Sequence, residues 1–159
     1  MVLAAGASER LGRPKQLVVY RGKPLLRHAV DAALAAGVGP VLVVLGHEAE
    51  RIAPARAGLG VGIVINGEWR AGLGGSVAAG VRAAAGLEPA VAGVLLLACD
   101  QPLVTPELLR SLAAGLAAGA PVAAAGYGGS LGVPAAFERS LFPALLGLDV
   151  VRAIERAVA

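Results

Sequence analysis

The 159 residues are 57% hydrophobic but only 3% aromatic, so one core of Ala, Val and Leu is expected, burying roughly 70% of the surface that the unfolded chain exposes. A single cysteine, Cys99, excludes an intramolecular disulfide, and no second thiol or histidine cluster suggests zinc. The net charge is +3, and twelve of the fourteen cationic residues are arginines scattered singly, which suits an anionic small molecule and gives little support to nucleic acid.

An apolar strand, Val2 to Ala5, begins at once with no basic leader or cleavable apolar segment before it, so secretion is not indicated and a cytoplasmic setting is expected. The strand breaks at Gly6 into a loop holding Ser8, Arg10, Gly12, Arg13 and Lys15. Glycine lets backbone approach a ligand, exposed N–H groups point at oxygens, and the cations neutralise charge, so the loop has the makings of an anion cradle. An ordinary solvated strand-to-helix loop has the same ingredients. Leu17 to Tyr20 is extended, Arg21 to Lys23 turns, and Pro24 takes the first position of a helix that runs to Gly37. Val41 to Leu45 is a second strand, and this βαβ order calls for a mostly parallel sheet with right-handed crossovers.

His47 to Ala57 is a short helix interrupted near Pro54, and Val61 to Ile65 is a third strand. A second glycine-rich loop, Asn66 to Ser76, leads into a helix that Gly75 or Ser76 opens. Val94 to Cys99, the most apolar strand, is expected at the sheet centre, and ends in Asp100-Gln101-Pro102-Leu103. Thr105 caps a helix that reaches about Ala118. Pro121 to Ala125 is a fifth strand, Tyr127 to Pro134 a third glycine-rich segment, and Ala135 to Phe137 a further strand. Helical patches at Arg139 to Leu146 and Asp149 to Val158 close the chain. Ser111 to Phe137 is uncharged, but six glycines and two prolines interrupt it; a bilayer span needs about 20 predominantly apolar residues in one helix. With no repeat and no linker, residues 1–159 read as one domain.

Ligands of open α/β sheets bind outside the carboxyl ends of the strands, where strand order reverses. The loops after the first, third and fourth strands leave such ends. Gly6 to Gly12 lacks the close paired glycines of a dinucleotide fingerprint, and no Gly-Lys-Ser/Thr follows as a Walker loop requires. Asp100 is either a ligand for a hard divalent cation beside phosphate oxygens or a turn residue before Pro102. Ser76 reads as a helix cap, Trp69 as packing under its loop, and Cys99 as a small buried hydrophobe. His28 and His47 read as helix-surface and strand-end residues.

Leu3-Ala4-Ala5-Gly6, Ser8, Arg10, Gly12 and Lys15 match the LAAGxSxRxGxxK signature of nucleotidyltransferases. The fuller run LAAGASERLGRPKQL resembles the molybdenum cofactor cytidylyltransferase and guanylyltransferase group. Asn66, Trp69, Gly72 and Ser76 resemble that group's N-x-x-W-x-x-G-x-x-x-S segment, Cys99 to Val104 its aspartate-containing metal loop, and Tyr127-Gly128-Gly129 with Gly132 and Pro134 its YGGxxGxP segment. The likeness implies a three-layer, Rossmann-like α/β fold of the nucleotide-diphospho-sugar transferase type, an open and mostly parallel sheet with helices on both faces. It also implies an Mg²⁺-dependent enzyme that joins a substrate phosphate to the α-phosphorus of an NTP. By that likeness Arg10, Lys15 and Asp100 are catalytic, Leu3, Ala4, Ala5, Gly6, Ala7, Ser8, Arg10, Lys15, Asn66, Gly72 and Ser76 bind nucleotide, and Asp100 holds the Mg²⁺.

The tail departs from the group, because Leu146 to Arg152 falls short of its Gly-Asp-x-Gly segment and offers Asp149 as a substitute second metal ligand. The guanylyl-transferring relatives carry Ala-Gly-Gly where this chain has Ala-Ala-Gly; a methyl at Ala5 would crowd a purine, so CTP is expected, with GTP and ATP as alternatives. The implied acceptor is a molybdopterin-type cofactor, and the implied protein partner a molybdenum enzyme or its chaperone. Two other readings stay open: a sugar phosphate or other phosphorylated acceptor, and a non-catalytic nucleotide- and cofactor-binding chaperone. Neither nucleic acid nor membrane is expected as a partner.

Overall fold

Burial of short apolar strands on both faces decides the architecture. In the computed structural model, which describes residues 1–147, the chain runs β1 (Val2–Ala4), a small hairpin of β2 (Val19–Tyr20) and β3 (Lys23–Pro24), α1 (Leu25–Ala36), β4 (Leu42–Leu45) and α2 (Ala49–Ile52). It continues through β5 (Gly62–Ile65), α3 (Leu73–Ala85), β6 (Gly93–Ala98), α4 (Pro106–Ala117), β7 (Val122–Tyr127), β8 (Ser130–Glu138) and α5 (Phe142–Leu146). The main sheet has the order β5-β4-β1-β6-β8-β7. Strands β5, β4, β1 and β6 are parallel, while β8 is antiparallel to both β6 and β7.

Leu3, Val44 and Leu96 face one layer, where Val77 and Val81 of α3 and Leu145 of α5 cover them. Val2, Val43, Leu45 and Leu97 face the other, against Leu26 and Val30 of α1, Ile52 of α2 and Leu109 of α4. Successive residues of a strand point to opposite faces, so a strand buried on both sides must be apolar throughout. This is the expected three-layer α/β fold with helices on both faces. No described helix is long and apolar enough to cross a membrane.

Three local expectations are corrected. Pro24 lies one residue before α1, as its N-cap, because it is held in β3 opposite Val19. Helix α3 starts at Leu73, since Gly72 makes the turn in the left-handed region, at φ +99°, where glycine is strain-free. Ser76 therefore sits one turn inside the helix, buried, and does not cap it. The third glycine-rich segment is a hairpin: Gly128 and Gly129, both at positive φ, join β7 to the nine-residue β8, which is far longer than Ala135 to Phe137.

The pairing of β7 with β8 shifts between Ala124 and Ala125, opposite Val133 and Pro134. Proline has no N–H for the ladder, and the Val133 carbonyl accepts instead from Gln101 Nε2 at 2.8 Å and the Tyr127 hydroxyl at 3.0 Å. The Gln101 bond ties the hairpin to the segment after β6, and the Tyr127 bond closes the hairpin on itself. Thr105 caps α4 as expected, its hydroxyl oxygen accepting from the Leu108 N–H. The second tail helix, Asp149 to Val158, lies outside the described residues.

Gly93 lets β8 close on β6: a Cβ there would strike the Phe137 carbonyl and stand 3.1 Å from Leu116 Cδ1. Overpacking of this kind costs about 1–3 kcal/mol. Gly93→Ala is expected to lower the urea midpoint accordingly at constant slope. An unchanged midpoint would show that the β6–β8 contact is looser than described.

Candidate active site

The carboxyl end of β1 opens into a cleft of about 840 Å³. Its lining comes from three loops, those that follow β1, β5 and β6. Strand β1 leads to β4 on one side and has β6 on the other, so the cleft sits at the reversal of strand order. A second cavity of about 510 Å³ at the opposite end of the sheet has Glu138 as the one charged side chain among its described lining residues and no lysine or arginine among them.

The exit of β1 is held by donors that take up its carbonyls. Gln16 Nε2 donates to the Ala4 oxygen at 2.7 Å and the Gly6 oxygen at 3.0 Å, and the His47 N–H donates to the Ala5 oxygen at 3.1 Å. The N–H groups of Gly6, Ala7 and Ser8 have no partner among the described residues, and all three residues line the cleft. Ser8 adopts a left-handed conformation, φ +58°, and its hydroxyl oxygen accepts from the Lys15 N–H at 3.0 Å. This is an array of free backbone donors of the kind that receives anions. Arg10, exposed on the same wall, pairs with no carboxylate among the described residues.

Ala5, 4% exposed, belongs to the floor: its methyl would meet a Cβ at Gly46 at 2.9 Å, beside Trp69. Trp69 is half-buried, with the His47 ring 4.8 Å from its own and the Arg70 guanidinium 4.2 Å over its face. That is packing support, as expected. Leu73 and Ser76 bring the first turn of α3 to the cleft, and the leading N–H groups of a helix lack intrahelical partners and carry its positive end. Asn66 is buried beneath this loop and does not line the cleft; its Nδ2 donates to Ser76 Oγ at 3.1 Å and its Oδ1 accepts from the Glu68 N–H. Ser76 thus keeps its own hydroxyl proton to donate.

Asp100 stands at the end of β6 with one carboxylate oxygen 2.7 Å from Lys15 Nζ. This ion pair joins the two sides of the cleft. Among the described residues no three His, Cys, Asp or Glu side chains gather as a cation site. The donor set fits a hard divalent ion that takes one protein carboxylate and completes its shell from phosphate oxygens and water, as Mg²⁺ prefers. Asp149 lies outside the described residues.

Two supporting residues, both inside the runs that carry the family resemblance, have no role assigned from the sequence. Gln16 is fully buried beneath the β1 loop, and Gln101 braces the segment after Asp100 against the β7–β8 hairpin. Cys99 is 1% exposed, and burial pushes its thiol up to about 12, with the Lys15 charge pulling the other way. A thiol so held stays protonated and inert. At pH 8 the native protein is expected to react with iodoacetamide at least roughly 100-fold more slowly than a free thiol; complete native-state labelling within minutes would contradict this.

Lys15 and Asp100 are 36% and 41% exposed, so their pair contributes at most about 1 kcal/mol to folding. Lys15→Ala is therefore expected to leave the urea midpoint nearly unchanged. A loss above about 2 kcal/mol would make the pair structural rather than functional.

The chain is 45% identical over 86 residues to the nicotine blue oxidoreductase of Paenarthrobacter nicotinovorans, across 53% of this chain and 42% of that protein. It thus spans less than half the length of that curated relative. Among solved structures, the manganese complex of Rv0371c from Mycobacterium tuberculosis superposes with a TM-score of 0.78 at 30% identity, over 99% of this chain and 79% of that one. A nucleotidyl transferase from Methanothermobacter thermautotroptrophicus superposes with a TM-score of 0.79 at 29% identity, over 98% and 82% of the two chains. The family model described as a MobA-like NTP transferase domain matches residues 1–159, and the chain belongs to that family.

Proposed function

We propose that the chain is an Mg²⁺-dependent nucleotidyltransferase that moves CMP from CTP to the terminal phosphate of a molybdopterin-type cofactor. The observation that carries the reading is the meeting of Lys15, Asp100 and the partnerless N–H groups of Gly6, Ala7 and Ser8 in one cleft. In the reaction an acceptor phosphate oxygen bonds to the α-phosphorus, the bond from that phosphorus to the bridging oxygen of the β-phosphate breaks, and pyrophosphate leaves with the electron pair. Such a transfer asks the protein for alignment and charge neutralisation. The β1 loop, Arg10 and Lys15 hold the triphosphate, and the α3 start with Ser76 faces the base. Lys15 would turn from Asp100 to the phosphates, and the Asp100 carboxylate would hold the cation, whose charge would offset that building on the phosphate oxygens.

CTP is the reading for the base because this chain carries Ala5 where the guanylyl-transferring relatives carry glycine, and a methyl on the cleft-lining Ala5 would crowd a purine. The acceptor rests on the resemblance of four segments to the molybdenum cofactor group. The manganese found with a 30%-identical neighbour supports a divalent cation here.

Pyrophosphate release is to be measured with each of the four NTPs and with molybdenum-loaded molybdopterin or a sugar 1-phosphate as acceptor, in wild type and Asp100→Ala. Release is expected with CTP and the molybdenum-loaded acceptor, falling roughly 100-fold or more in Asp100→Ala. Equal rates in the two proteins would remove Asp100 from the mechanism. Preference for a purine would overturn the role given to Ala5, and release only with the sugar phosphate would overturn the acceptor.

A further inference from the structure

We infer that Gln16 is a positioning residue that orients the peptide between Gly6 and Ala7, so that the Ala7 N–H is presented to a phosphate oxygen in the cleft. The C=O and N–H of a trans peptide point in opposite directions. The Gly6 carbonyl is drawn to Gln16 Nε2, 3.0 Å away and fully buried under the loop, so the Ala7 N–H of the same peptide is turned outward. With the Gly6 peptide reversed, a carbonyl oxygen would face the incoming phosphate and the donor would be lost. Glycine makes that reversal easy: a Cβ at Gly6 would meet nothing within 4 Å, so no side-chain packing resists rotation there. A lock is needed, and Gln16 supplies it from 10 residues away in sequence.

The amide is not a simple filler. Gln16 Oε1 is buried with no hydrogen-bond partner among the described residues, a penalty that an apolar side chain of the same length would avoid. Both amide protons are nevertheless used, one on Ala4 and one on Gly6. The neighbouring Lys15 N–H binds Ser8 Oγ, so residues 15 and 16 together strap the loop from below while the Lys15 side chain reaches Asp100. The inference rests on the proposed reading of the cleft as a triphosphate site.

Binding of inorganic triphosphate and of CTP is to be measured calorimetrically for wild type, Gln16→Met and Gln16→Glu. Gln16→Met keeps the length and removes both donors, and is expected to weaken both ligands about tenfold or more. In Gln16→Glu, burial raises the carboxyl pKa, and the neutral acid can donate one hydrogen bond to the Gly6 carbonyl. The affinity ratio of this variant to wild type is therefore expected to recover as the pH falls from about 8 to about 5.5. A ratio independent of pH overturns the inference, as does equal binding by wild type and Gln16→Met.

Wild type that binds neither ligand overturns the phosphate reading and this inference with it. Should Gln16→Met not fold, the wild-type side-chain amide of Gln16 decides by NMR. Slow hydrogen exchange, with the Ala7 amide resonance shifting when triphosphate is added, supports the lock; exchange as fast as in a free glutamine overturns it.

Discussion

A buried strand that ends at a ligand must dispose of its last carbonyls, and this requirement organises the site. At the end of β1 the oxygens of Ala4, Ala5 and Gly6 are all claimed, two by Gln16 and one by the His47 N–H. On the last two of these peptides the Gly6 and Ala7 N–H groups are thereby left for the cleft. Buried backbone groups are almost always paired, so each carbonyl turned inward needs a partner supplied by later chain. Here the suppliers are the short turn after Pro14, whose Leu17 packs on the face that α1 covers, and the segment after β4, whose Gly46 and His47 lie beside Trp69 on the opposite face. Core packing and ligand geometry are thus linked through three hydrogen bonds.

The rest of the cleft is built by adjacency in the sheet. Strand β6 lies beside β1, so Asp100 comes within 2.7 Å of a lysine 85 residues away without any long excursion of the loops. Gln101 then reaches the Val133 carbonyl that the irregular pairing around Pro134 leaves available. The segment bearing Asp100 is therefore held from both sides, by Lys15 and by the hairpin. A surface pair as exposed as Lys15 and Asp100 adds little to stability. Its place at the mouth of the cleft is better explained by charge that a ligand rearranges.

Much of the fold was legible because parallel strands buried on both faces are unbroken apolar runs, as Val2 to Ala5, Val41 to Leu45 and Val94 to Cys99 are. The glycine-rich loops after them mark the end of the sheet at which the cleft lies. Strand β8 was obscured by Gly132 and Pro134, residues that ordinarily argue against a strand; the hairpin bypasses them by shifting its register. Ser76 read as a cap because serine favours caps, but Gly72 started α3 a turn earlier and left it to face Asn66. Gln16 could not be recognised at all from spacing. Its partners are backbone oxygens 10 and 12 residues earlier, and they come within reach only when the loop closes.

On the proposed reading a triphosphate would lie against Gly6, Ala7 and Ser8, and Asp100 would hold a divalent cation beside it. Diffraction from crystals grown with Mn²⁺ and a non-hydrolysable CTP analogue tests this most directly, since the anomalous signal locates the ion independently of the phasing model. The predicted result is Mn²⁺ within coordination distance of an Asp100 oxygen, Lys15 moved onto the phosphates, and the Ala7 N–H donating to a phosphate oxygen. A triphosphate bound away from the β1 exit, or an ion bound with the Lys15–Asp100 pair still intact, would contradict it.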